Sequence, residues 1–370
     1  MLENCRWLLY ASRLYGCHPH TIDERSRLAN FRLLIAYSLV ACTIYCSIAY
    51  YMSIAINCIA RNMMIVGCVL QQINRYSRSF YMILTPLLSC LRHTEFERAV
   101  AAARKFDDLT RHHRWRIDHG RINRRYVQWL VILVILVGWI LLSVLAKFAV
   151  PQMISRSIVI QCTMRAIFSV EIAKFCFLYD ALRYRFCRLN RLCLRLTGVE
   201  IGVDTGISAI HSERLTISSI QRLHQCLTDA TNYLNSYYSL QLLCWIACIC
   251  TDVVTFVFDA LYGTNSVARV YAQCIILLYL SLQVIAISCV CHLTCDQANA
   301  LAGTVFSVEA SAFKQTESTT EAIELGVFFR THPLCVKVCG LFNLDNRFVF
   351  SVNDIFPFAF IVFFEIAEIV

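Results

Sequence analysis

Between Arg347 and Val370 the polar side chains fall on one stripe. Arg347, Ser351, Asp354, Phe358, Ile361 and Glu365 recur at three- and four-residue steps, so a helix there carries nearly all its polar groups on one face. The run is otherwise apolar, and at 1.5 Å per residue it reaches roughly 30–35 Å, the thickness of a hydrocarbon core. Ionisable groups at that depth face a bundle interior or a water-filled path. Two readings follow. Either this is a last helix whose stripe packs against its neighbours, or copies of it meet around an axis and line a pore.

A second polar island interrupts an apolar run further upstream. QQINRYSR (Gln71–Arg78) places Gln72 and Arg75 near mid-depth. Glu171 and Asp252 are candidate partners at similar depth, while Arg165 lies closer to the outer face. Either a buried ion pair holds the bundle together, or these groups converge on an outward-opening ligand pocket walled by Tyr45, Tyr50, Trp139 and Phe256. Enzyme chemistry has no comparable footing. The chain lacks a phosphate-binding glycine loop, a nucleophile elbow and an H-E-x-x-H pair, and no pattern calls for a cofactor or a nucleic-acid partner. Cys244–Cys250 and Cys289–Cys295 contain metal-ligand types, but each lies within one expected helix. Only i, i+3 and i+4 side chains converge there, too few for tetrahedral zinc.

These residues need elements that cross a bilayer. The chain of 370 residues is 58% hydrophobic and only 16% charged, a membrane composition. Apolar runs place spans at about 33–56, 63–91, 127–150, 157–181, 237–262, 268–293 and 347–369. Arginines crowd the segment before the first span and the loops after the second and fourth. By the positive-inside rule these are cytoplasmic. The expected fold is therefore an all-α membrane protein of seven transmembrane helices, with the N-terminus cytoplasmic and the C-terminus extracellular. The segment before the first span is too short in apolar residues for a cleavable signal. The 21 cysteines sit mostly inside apolar runs, which predicts reduced packing residues.

The cytoplasmic pieces read as helix extensions. Residues 93–126 hold helix formers and no proline, and Leu182, Phe186, Leu189, Cys193 and Leu196 form a stripe that continues the fourth span as a straight helix. Another stripe runs from Glu213 into the fifth span without a breaker. Gly198–Gly206 is a flexible break. This divides the chain into a cytoplasmic segment (1–32), a six-helix region with cytoplasmic extensions (33–293), an anchor segment (294–346) and the last helix (347–370). A G protein-coupled receptor has the opposite orientation, and neither its Asp-Arg-Tyr nor its Asn-Pro-x-x-Tyr mark occurs here.

Two stretches resemble a known family. Leu223–Leu243, LHQCLTDATNYLNSYYSLQLL, is similar to the start of the fifth span in insect gustatory receptors. Gly340–Ser351, GLFNLDNRFVFS, resembles that family's entry to its last helix. The family's Thr-Tyr, five apolar residues, Gln-Phe signature is replaced by Phe358-Ala359-FIVFF-Glu365-Ile366, with the spacing kept. The resemblance implies a ligand-gated, non-selective cation channel in the plasma membrane of sensory dendrites. It further implies a tetramer, homomeric or with other receptor subunits, that binds a small tastant among the first six helices. Glu365 would then sit near the outer constriction, with Val362 one turn inward and Ile366 beside it, and a ring of carboxylates there concentrates cations. The alternatives are a heptahelical receptor that signals through an intracellular partner, or a non-conducting auxiliary subunit.

Overall fold

The structure, a computed structural model, describes residues 6–18, 29–54, 65–112, 156–196, 217–262, 267–309, 318–345 and 347–348. Within them the chain is helical apart from one hairpin. The elements are α1 (Arg6–Leu14), α2 (Ala29–Ile54), α3 (Ile65–Leu91), α4 (His93–His112), α5 (Arg156–Leu196), α6 (Ile217–Tyr262), α7 (Val267–Glu309), α8 (Ser318–Thr331), β1 (Lys337–Val338) and β2 (Phe342–Asn343). The expected spans at 127–150 and 347–369 and the break at 198–206 lie outside the described residues. The other five expected spans coincide with α2, α3, α5, α6 and α7, except that 55–56 of the first and 63–64 of the second lie outside the described residues. Stretches of α2 (Arg32–Tyr51), α6 (Ser218–Phe258) and α7 (Ile276–Gly303) are long and apolar enough to cross a membrane.

α3 shows what solvent the bundle is built for. Val66, Val69, Ile73, Tyr76, Phe80, Leu87 and Leu91 are all exposed and follow one another at helical spacing. Its opposite face is buried through Tyr81, Met82, Thr85 and Leu88. A ridge of large apolar side chains this long is unfavourable in water and natural against lipid. α3 and α6 meet α5 in an aromatic core around the fully buried Trp245. Phe175 stands edge-on to Trp245 (5.7 Å) and to Tyr238 (5.1 Å), and the Trp245 indole N–H donates to the Tyr81 hydroxyl.

α5, α6 and α7 are each about twice as long as a hydrocarbon core is thick, ~62–69 Å at 1.5 Å per residue. Their surplus forms a packed base. Leu182, Phe186, Leu189 and Cys193 are buried there, as the stripe predicts. Asp107 of α4 accepts a two-pronged contact from Arg185 of α5 (2.9 and 2.7 Å), and Asn299 of α7 exchanges both amide bonds with Leu334 (3.0 and 2.8 Å). Burial pushes the Cys193 thiol up to about 12, so it stays protonated and inert. Cys68, in the first turns of α3, is disulfide-bonded, an exception among described cysteines that are otherwise free, as Cys17, Cys176, Cys193, Cys226, Cys248 and Cys291 are within the packed interior.

α1 ends in a Schellman cap. The Cys17 N–H reaches the Ser12 carbonyl (2.9 Å) and the Gly16 N–H reaches that of Arg13 (2.8 Å). Gly16 has a φ of 75°, and a Cβ there would stand 2.5 Å from that of Ala41, so both backbone and packing require glycine. The cap turns Cys17 toward α5. There the Lys174 ammonium donates to the Ser12 hydroxyl (2.9 Å) and the Cys17 carbonyl (3.3 Å) and pairs with Glu171 at 2.5 Å, while the Ser12 hydroxyl donates to Glu171.

The recognised GLFNLD stretch is a small machine for starting a helix. Cys339 (φ 49°) and Gly340 (φ 73°) make the tight turn of the β1–β2 hairpin, closed by the Leu341 N–H on the Val338 carbonyl (2.9 Å). Leu344 is buried, and Asp345 Oδ1 accepts the Phe348 N–H (3.1 Å), the geometry of an N-cap. The Phe342 ring stacks on Phe348 (5.0 Å, 9°) and holds the entry angle.

Candidate functional site

Four helices enclose a cavity of about 430 Å³, counting its open mouth. α3 contributes Arg78, Tyr81 and Met82, and α5 contributes Met164, Arg165 and Phe168. α6 supplies Cys248 and Asp252, and α7 supplies Tyr279, Leu280 and Gln283. One wall is aromatic, with Tyr81 and Phe168 4.8 Å apart and Phe168 6.3 Å from Trp245 behind them.

The polar groups are concentrated. Arg78 Nε (3.0 Å) and Nη2 both contact Asp252, and both fall on Oδ1. The pair is nearly buried and joins α3 to α6. In low dielectric such a pair is favourable only while both charges are present. Across the cavity, the Gln283 amide nitrogen meets the Tyr279 hydroxyl at 2.5 Å, and that hydroxyl is in turn hydrogen-bonded to Ser169. The site thus has an apolar body, an internally neutralised ion pair, a further guanidinium at Arg165 and a hydrogen-bonded amide. It can hold a small molecule of mixed polarity. Among the described residues no group of three or more histidine, cysteine, aspartate or glutamate side chains could hold a metal.

Of the residues singled out from sequence, Arg165 and Asp252 line this cavity. The others are placed elsewhere. Tyr45 is buried and donates to the Tyr15 carbonyl (2.8 Å), which ties α2 to the end of α1. Tyr50 is 70% exposed on α2. Gln72 and Arg75 are half-buried on α3, two turns and one turn before Arg78. Glu171 is committed to Ser12 and Lys174 rather than to an arginine of α3, and Asp252 takes Arg78 where Arg75 was equally eligible. Phe256 packs with Ile249, Val253 and Ile276. Trp139 and the stripe of Ser351, Asp354, Phe358, Ile361, Val362, Glu365 and Ile366 lie outside the described residues. The lining residues missed from sequence were Arg78, Tyr81, Phe168, Tyr279 and Gln283 together with Met82, Met164, Cys248 and Leu280. Arg78 was within the polar island, and Gln283 is a lone amide in an apolar run, the same signal that drew attention to Gln72.

A family model described as 7tm chemosensory receptor matches residues 5–352. No curated protein sequence matches the chain. Among solved structures, the chain is similar to the insect olfactory receptor OR5 from Machilis hrabei in complex with eugenol, with a TM-score of 0.67 and 15% identity, covering 98% of this chain and 97% of that one. The structure of the same receptor without eugenol in its description gives a TM-score of 0.60 at 13% identity, with 97% and 96% covered.

Proposed function

Since the chain belongs to the 7tm chemosensory receptor family, we propose that it is a gustatory receptor acting as a ligand-gated, non-selective cation channel in the plasma membrane. A small molecule binds in the cavity between α3, α5, α6 and α7 and opens a pore lined by the helix at 347–370. The observation that carries this reading is the cavity itself, which joins an aromatic wall to a few convergent polar groups. The described complex of a similar fold with the small molecule eugenol supports it.

The channel is a tetramer of seven-span subunits, alone or with related chains. The six-helix region at 33–293 binds ligand and the segment at 294–346 anchors subunits to one another. The N-terminus is cytoplasmic and the C-terminus outside. The arginine distribution supports that orientation, and so does Cys68. The orientation puts the start of α3 at the outer, oxidising face, where disulfides persist.

Ligand applied to an excised patch, free of cytosol, is expected to evoke a cation current. A response confined to intact cells would instead favour signalling through an intracellular partner. A current only on co-expression with a relative would mark an auxiliary subunit.

Glu365 is the proposed outer carboxylate ring. Glu365→Gln should lower calcium permeability relative to sodium and weaken block by external divalent cations, because it removes the charge that concentrates them. Unchanged permeability ratios and unchanged block would remove Glu365 from the pore.

A further inference from the structure

The first helix is pinned by one face and shows the other. Leu8, Leu9 and Ser12 of α1 are buried, and Ser12 is held by Lys174 and Glu171 of α5. Tyr10 and Leu14, one helical turn apart, are exposed, Leu14 to 69%. Two large apolar side chains on the open face of a nine-residue helix are poorly placed in water. α2 indicates what covers them. Leu33, Tyr37, Val40 and Ile44 are exposed along one stripe of that helix, inside the stretch long and apolar enough to cross a membrane. The Tyr37 hydroxyl of this stripe donates to the Leu14 carbonyl (2.6 Å). The end of α1 is thereby stitched to the lipid-facing ridge of α2, and the exposed apolar surface continues from one helix onto the other.

Charge narrows the kind of lipid. α1 and α2 carry Arg6, Arg13 and Arg32 and not one carboxylate. Arg32 is exposed and stands where the membrane-competent stretch of α2 begins, the level of lipid headgroups. The Arg13 guanidinium lies 5.5 Å from the centre of the Tyr10 ring, on the open side of α1. An arginine at this level lays its stem along apolar surface and offers a planar fork to a phosphate or a carboxylate. We propose that α1 and the first turns of α2 form a docking surface for anionic phospholipid in the adjoining leaflet, with Tyr10 and Leu14 in the acyl boundary and Arg13 and Arg32 on the headgroups. A zwitterionic lipid covers the apolar part equally well but brings the arginines no net charge to neutralise. The inference rests on the chain spanning a bilayer, not on the cavity or on conduction. With the orientation proposed above, the leaflet is the cytoplasmic one, where anionic lipids are concentrated.

The test uses the full chain in vesicles of phosphatidylcholine with phosphatidylserine in both leaflets. A trace of either lipid carries a photoreactive group at the headgroup end, and the labelled peptides are mapped by mass spectrometry. Peptides covering α1 and residues 29–37 are expected to take the phosphatidylserine probe at least about fivefold over the phosphatidylcholine probe. The exposed ridge of α3 from Val66 to Phe80, which has no such arginines facing lipid headgroups at its apolar positions, should show no comparable preference. Arg32→Gln should cut the preference about threefold, Arg32→Lys should keep most of it, and about 1 M salt should abolish it. Leu14→Ser should lower labelling by both probes and leave their ratio. Equal labelling of α1 by the two probes would overturn the inference, as would a preference that survives Arg32→Gln. Labelling of α1 and residues 29–37 by neither probe would also overturn it, and would show that protein rather than lipid covers this surface. Because both leaflets carry the same lipids, the outcome does not depend on which side α1 faces. Antibody access to an N-terminal tag in intact cells reads the orientation separately.

Discussion

Asp252→Asn is expected to lower stability by about 3–5 kcal/mol, because it leaves the Arg78 guanidinium nearly buried with no opposing charge. Both guanidinium contacts land on a single oxygen, Oδ1, and among the described residues Asp252 is the carboxylate paired with Arg78. The neutral amide can still accept a hydrogen bond but cannot offset the charge. The loss should appear as a lower unfolding temperature in detergent and less receptor at the cell surface. Arg78→Leu combined with Asp252→Leu should recover most of it, since removing both charges also removes the cost of burying them. A single Asp252→Asn chain as stable as the unaltered one would show that the pair contributes nothing to the joint between α3 and α6.

Lys174→Met should cost a similar amount, about 3–5 kcal/mol, and its consequence is local to the first helix. Glu171 and Lys174 are 1% and 0% exposed, and the lysine reaches both Ser12 and the Cys17 carbonyl that the cap of α1 presents. Without it, Glu171 is a buried charge held only by the Ser12 hydroxyl, and α1 loses its polar grip on α5. Trypsin should then cut after Arg13 in folded receptor that otherwise resists it. Ser12→Ala should cost far less, about 1 kcal/mol, and Glu171→Gln with Lys174→Met should restore much of the loss. If Lys174→Met melts with the unaltered chain and keeps Arg13 protected, the pair does not hold α1 in place.

The long elements were legible because burial against lipid and burial against protein both write simple patterns. Apolar runs placed α2, α3, α6 and α7, and a stripe from Leu182 to Cys193 carried α5 beyond the bilayer. Within the cavity the pattern runs out. Arg75 and Arg78 are three residues apart on one face of α3, so periodicity cannot say which meets Asp252. Glu171 had an oppositely charged neighbour at Lys174 on its own helix, a pair readable from spacing alone, yet the longer-range partner was preferred for it. Ser12 could not have been assigned to it, because the α1–α5 contact joins segments about 160 positions apart. Tyr279 and Gln283 look like ordinary members of an apolar span until Ser169 of another helix is placed beside them. The GLFNLD stretch was legible as a motif, but its parts as turn, staple and cap needed coordinates.

α6 runs from Ile217 to Tyr262 without a proline or a glycine. Asp252 is at the cavity, and about 20 Å along the same axis Ser239 lies against Cys339 in the hairpin turn. With no weak point between them, a tilt imposed at one location cannot be absorbed on the way and must swing the other. In the proposed channel, sensor and doorway would share a single stiff lever, and the strength of a stimulus would be transmitted as an angle.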